Sequence, residues 1–206
     1  LDETWIPLRT DDSLGISYVP KEPNGAMVIL KEPGEEGGTI EGNNVWFKKV
    51  IANEAEKEYS GRILDMLRCV GLLGIKDIGS EYLSEIEKIY FSNVLYGKNV
   101  GGSEKSDTYK SLTDEDKECR VKEILEFVEN KKNVNLKYVF IDSDVFQALK
   151  HVRNWIINKN IEGIIYKNKK LEAYKDGDKF YFAIEHPSRS SIIEFETTYN
   201  NLKKII

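Results

Sequence analysis

Residues 24–34, Asn24-Gly25-Ala26-Met27-Val28-Ile29-Leu30-Lys31-Glu32-Pro33-Gly34, decide the reading of the fold. Five consecutive apolar residues stand between two turn signals, Asn24-Gly25 and Pro33-Gly34. A run that short and bounded by turns suits a buried strand better than a helix, and it is the first core strand. Where such strands are separated by helices, they imply a mostly parallel sheet with helices on both faces.

Three further runs have the same character. Lys88 to Val94 is rich in aromatic and branched residues and stops before the loop Gly97–Gly102. Leu136 to Ile141 and Lys179 to Ile184 read as the third and fourth core strands. Between them lie helical spacings: Ile63, Leu64, Leu67 and Val70, ending near Gly71 and Gly74, and then Cys119, Ile124, Phe127 and Val128 after a start signal of Thr113 with Asp116. A further helix carries Val145, Phe146, Leu149 and Val152, with Asp142 or Ser143 as its cap. The pieces Gly163–Tyr166 and Leu171–Tyr174 look strand-like, Asp176-Gly177 marks a turn, and Ser191 to Ile206 predicts a closing helix. The expected fold class is therefore α/β, three layers α/β/α about a central, mostly parallel four-stranded sheet, with residues 1–206 forming a single domain. Such sheets bind ligands beyond the carboxyl ends of their strands.

Bulk properties narrow the function. With 40% hydrophobic and 32% charged residues the chain has enough apolar surface for a core. No stretch approaches the roughly 20 apolar residues of a membrane span. The opening LDETWIPLRTDD has neither the basic flank nor the apolar run of a signal peptide, so a cytoplasmic protein without membrane contact is expected. Cys69 and Cys119, too few for a disulfide framework and without CxxC spacing, read as buried free thiols. The net charge of −5 argues against an obligate, tight duplex binder but allows a local basic groove. Lys167, Lys169, Lys170, Lys203 and Lys204 read as solvated faces. Neither GxxxxGK[ST] nor GxGxxG is present, which disfavours a phosphate-loop nucleotide binder.

Polar residues follow three of the strands: LKEPGEEGG after the first, IYFSNV ending in Asn93, and EHPSRSS after the fourth. In this order the segments resemble the motifs of the uracil-DNA glycosylase superfamily, over roughly residues 26 to 195. The nearest variant is the one that carries an iron–sulfur cluster. Where a ligand cysteine is expected after Asn93, however, this chain reads Leu95-Tyr96-Gly97, and two cysteines cannot supply the four thiolates such a cluster usually takes. No metal and no cofactor is expected.

The resemblance implies hydrolysis of the bond between a deaminated base and its deoxyribose, after the base is flipped into a pocket. It gives Glu32 the role of positioning water or stabilising the sugar cation, with Glu35 and Glu36 as alternatives, against the plain reading of a turn glutamate. His186 would donate a hydrogen bond to the departing base. Asn93 would read the base edge, its amide offering donor and acceptor together, where otherwise it would only finish a strand with a local bond. Phe47, or Trp46 one residue away, would stack on the base or else pack in the core. Ser188, Ser190 and Ser191 would hold phosphates or cap the last helix. Arg189 stands where relatives often have an apolar wedge, a departure that bears on flipping from duplex DNA. The expected partner is DNA, single- or double-stranded, containing uracil or another deaminated base, bound by a monomer. The competing reading is a catalytically inactive member of the fold that binds nucleic acid or protein.

Overall fold

A computed structural model of the chain describes residues 18–31, 57–74, 80–94, 109, 112–155, 165–166, 169–170, 172–185 and 195–204. The Ala26-to-Leu30 run is strand β1 (Ala26–Leu30). Helix α1 (Lys57–Cys69) and a 3-10 helix (Ser80–Lys88) lead to β2 (Tyr90–Asn93). Helix α2 (Asp114–Val128) precedes a short 3-10 turn (Lys131–Asn133), β3 (Tyr138–Asp142) and α3 (Ser143–Arg153). The two-residue strands β4 (Ile165–Tyr166) and β5 (Lys169–Lys170) pair only with each other. Strands β6 (Ala173–Asp176) and β7 (Lys179–Ile184) and helix α4 (Phe195–Leu202) complete the described elements.

The main sheet has the order β2-β1-β3-β7-β6. Strands β1, β2, β3 and β7 are parallel, as the apolar runs predict, and each is buried along nearly its whole length. The expectation of four strands is corrected to five. β6 returns antiparallel along β7 through the two-residue turn Gly177-Asp178, with Gly177 at φ 58°. Only Ala173 and Tyr174 of β6 are buried, while Lys175 and Asp176 face solvent, as suits an edge strand. On the opposite edge, Tyr18 exchanges backbone hydrogen bonds of 3.0 and 3.1 Å with Phe91 of β2.

Alternation along the strands sends side chains to two cores. Val28, Leu30, Phe91, Phe140, Phe182 and Ile184 meet Ile63, Leu64, Met66 and Leu67 of α1 and Leu202 of α4. Met27, Ile29, Val139, Ile141 and Tyr181 meet Val121, Ile124, Leu125 and Val128 of α2 and Val145, Phe146 and Leu149 of α3. The three-layer α/β/α architecture is thus formed as expected. The helix signals also hold: Thr113 Oγ1 accepts from Asp116 N at 3.1 Å, and Asp142 rather than Ser143 caps α3.

A second correction concerns the thiols. Cys69 is buried, and burial pushes its pKa up, but Cys119 is exposed on the outer side of α2, where Val121 faces the sheet instead. Of the expected stripe, Ile124 and Val128 are buried and Phe127 packs against the core, and Val121 rather than Cys119 begins the buried face.

The turn before β1 has a strict requirement. Gly25 lies at φ 88°, and a Cβ there would stand 2.7 Å from Asn135 O. Its own carbonyl accepts from Lys137 N at 2.8 Å and Tyr138 N at 2.9 Å, joining β1 to β3 at their starts. Gly25→Ala is expected to destabilise the fold by about 1–3 kcal/mol, from the strained φ and the backbone clash together. Urea denaturation measures this, and an unchanged midpoint would mean that the turn relaxes without cost.

Candidate functional site

Because β1, β2, β3 and β7 are parallel, their carboxyl ends, Leu30, Asn93, Asp142 and Ile184, share one edge of the sheet. Leu30 is in register with Asn93 and Asp142 with Ile184, and the Ile29–Ile141 pairing sets Leu30 beside Asp142. Alternation turns Leu30, Asn93 and Ile184 toward the face covered by α1, since Leu30 and Ile184 belong to that core and Phe91 precedes Asn93 by two residues, whereas the Asp142 carboxylate reaches the start of α3. Asn93 and Asp142 therefore flank Leu30 at two strand spacings, about 10 Å apart.

Both polar groups are removed from water: Asn93 is 1% exposed and Asp142 3%. Burying an amide or a carboxylate is costly without hydrogen bonds, so both groups need partners at this edge. Asp142 Oδ1 accepts from Asp144 N at 3.0 Å, which satisfies one of the amides left open at the start of α3 and sets the favourable end of its dipole at this edge. Asn93 has the donor and acceptor pair suited to a base edge.

The next residue along β1 turns to the other face. Lys31, 8% exposed, follows Met27 and Ile29 toward α2 and α3, and its Nζ donates to Asp144 Oδ2 at 3.0 Å. Asp144 also lines a cleft of about 190 Å³ between α2 and α3, together with Tyr109, Asp114, Lys117, Glu118, Gln147, Ala148 and His151. The Tyr109 phenol is pushed up by burial and further by the carboxylates of Asp142, Asp144 and Asp114, so it stays protonated through the neutral range. Lys117 Nζ lies 5.9 Å from the Tyr109 ring centre and 3.4 Å from Asp114, and His151 Nδ1 is 3.8 Å from Glu118. The cations of the cleft thus face carboxylates of the same cleft. Among the described residues no group of three His, Cys, Asp or Glu side chains is arranged to hold a metal ion, and no helix is long and apolar enough to cross a membrane.

Of the residues singled out in the sequence, Asn93 is described, at the carboxyl end of β2 as expected. Glu32, Trp46, Phe47, His186, Ser188, Arg189, Ser190 and Ser191 lie outside the described residues. The strands that precede Glu32 and His186 in the chain, β1 and β7, end at the same edge as β2. Sequence reasoning missed Lys31 and Asp144 and read Asp142 only as a cap. The signal that could have found Lys31 and singled out Asp142 is a charged residue directly following an apolar run, as in Leu30-Lys31 and Ile141-Asp142, while nothing in the sequence marks Asp144. Compared with protein-family models and with curated proteins, the chain matches none.

Proposed function

We propose that the chain is a cytosolic DNA-repair glycosylase that hydrolyses the glycosidic bond of uracil or a related deaminated base. The observation that carries this reading is the buried amide of Asn93 at the edge where β1 and β7 also end, one residue short of Lys31-Glu32 and of Glu185-His186. In the reaction, positive charge develops on the sugar and negative charge on the departing base. On this reading a carboxylate at Glu32 serves the first and a donor at His186 the second, while Asn93 selects the base through its carbonyl and N–H edge. Phe47 or Trp46 stacks on the flipped base, and Ser188, Ser190, Ser191 and Arg189 grip the flanking backbone.

The test is incubation with an oligonucleotide containing one uracil, followed by alkaline cleavage. Strand breakage at the uracil position supports the reading, and an intact strand at stoichiometric protein sinks it. Asn93→Asp is expected to lose about 1–3 kcal/mol of transition-state stabilisation toward uracil, because a carboxylate removes the donor and repels the base carbonyl. Its preference among deaminated bases should change as well, whereas a purely structural asparagine would lower thermal stability without altering selectivity. Competition between uracil and hypoxanthine oligonucleotides reads the difference.

One observation favours a second reading, a binding module without catalysis. Asp142, Asp144 and Glu185 stand at the carboxyl ends of β3 and β7 against the single cation Lys31 among the described strand-end residues, a balance that repels phosphates. A parent protein that binds a partner but excises no base from any deaminated substrate would match it.

A further inference from the structure

We infer that residues 130–137, at the end of the sheet opposite to Asn93, form a docking surface for an acidic polypeptide segment that carries an apolar residue among its carboxylates. The inference is independent of the glycosylase reading, since Tyr138 pairs with Ala26 at the amino end of the strands and Asn93 with Leu30 at the other.

The segment joins the end of α2 to the start of β3, and it is held at several points. Asn130 Oδ1 accepts from Lys132 N at 3.0 Å, and Asn133 N donates to Asn130 O at 2.8 Å, which closes the 3-10 turn. Asn133 Nδ2 donates to Phe127 O at 2.8 Å and so fixes the turn to one of the open carbonyls of α2. From β7, Lys179 Nζ donates to Asn133 O at 3.2 Å and to Leu136 O at 2.6 Å. Leu136 itself is buried. A segment held in this way loses little conformational freedom when a partner docks.

What it presents to solvent is lysine and valine. Lys131, Lys132 and Lys137 are exposed, and among the described residues none of the three pairs with a carboxylate. The carboxylate just before them, Glu129, is taken up by Arg153. In a chain of net charge −5, a stretch with three lysines and no acidic residue runs against the overall balance. Between Lys132 and Lys137 stands Val134, 68% exposed. One exposed valine is ordinary by itself; here it sits on a held turn among cations without partners. Lys175 of β6, exposed and in register with Phe180, continues the lysines along this edge, since Phe180 N donates to Lys137 O at 2.7 Å.

The cations require an anionic occupant and Val134 an apolar contact beside it. A nucleic-acid duplex carries about one negative charge per 1.7 Å of its axis, and its phosphates give Val134 nothing apolar to meet. Asp176 and Asp178, exposed at the β6–β7 turn beside Lys179, also oppose such continuous charge. A polypeptide has discrete carboxylates for the lysines, an apolar side chain for the valine and N–H donors for the aspartates.

The experiment titrates two short fluorescein-labelled peptides of aspartate and glutamate, one with a central leucine and one with serine in its place, by fluorescence anisotropy at low and moderate salt. A single-stranded oligonucleotide of the same net charge is the third probe. The proteins are the parent, Lys131→Glu combined with Lys132→Glu and Lys137→Glu, Val134→Ser, and a control combining Lys21→Glu with Lys122→Glu, two lysines exposed elsewhere. All the altered side chains are exposed, so thermal midpoints should match the parent's. The parent should bind the leucine peptide most tightly, with an affinity that falls as salt rises, and the triple variant should weaken it about 10-fold or more. Val134→Ser should weaken the leucine peptide about 5-fold and leave the serine peptide unchanged, while the control stays parent-like. Absence of saturable binding of the leucine peptide overturns the inference. Equal parent affinity for the two peptides, or a loss in the control as large as in the triple variant, overturns it in favour of unspecific attraction between charges. An oligonucleotide that binds more tightly than the leucine peptide and is lost in the triple variant overturns it in favour of nucleic acid. A parent that sediments as a dimer, and as a monomer once the three lysines are replaced, overturns it in favour of a second copy of the chain.

Discussion

Replacing His186 by alanine is expected to slow uracil excision on the order of 100-fold or more while leaving DNA affinity within about twofold of the parent. The asymmetry follows from the proposed chemistry. The oxygen of the base carries little charge in the ground state and gains it as the glycosidic bond breaks, so a hydrogen bond from His186 strengthens only on the way to the transition state. Removing it therefore acts on the chemical step and hardly on binding. Single-turnover rates and dissociation constants, both at one fixed salt concentration, separate the two quantities. Parent-like excision by His186→Ala would refute the role even if Asn93 proved essential, and a variant that loses rate and affinity in proportion would point to a binding residue.

The largest effect on stability is expected at Phe182. It is fully buried in β7, between β3 and β6, and stacks on Phe140 at 5.1 Å and Phe180 at 6.3 Å between ring centres. Phe182→Ala removes the ring from the core shared with α1 and leaves a void lined by side chains held on rigid strands, so the site cannot collapse to fill it. A loss of about 3–5 kcal/mol follows, which for a chain of this size lowers the thermal midpoint by roughly 10 °C. Denaturant unfolding monitored by circular dichroism gives the number. A loss below about 1 kcal/mol would mean that the β7 face is not packed as described.

The sequence by itself determined the four parallel strands and the helices between them, because those are local properties. Ala26–Leu30, Tyr138–Asp142 and Lys179–Ile184 are apolar along both faces, which only a strand covered on both sides tolerates, and the caps Thr113 and Asp142 mark helix starts through a hydrogen bond three or two residues away. It also determined that Asn93 ends a strand on the edge where such folds bind ligands. The 3-10 helix at Ser80–Lys88 was not read, although Tyr82, Leu83 and Ile86 stand at helical spacing, because nine residues between two turns give too short a stripe to distinguish it. The strand-like piece Leu171–Tyr174 and the turn after it were legible, but not the membership of β6 in the main sheet: Ala173–Asp176 is half exposed and joins it as a fifth strand through its backbone pairing with β7. The order β2-β1-β3-β7-β6 and the Lys31–Asp144 pair were decided by the tertiary structure alone. Lateral pairing and ion pairing depend on which distant segments meet, and Lys31 gains its contact with Asp144 only when a helix 113 residues away packs beside the strand end.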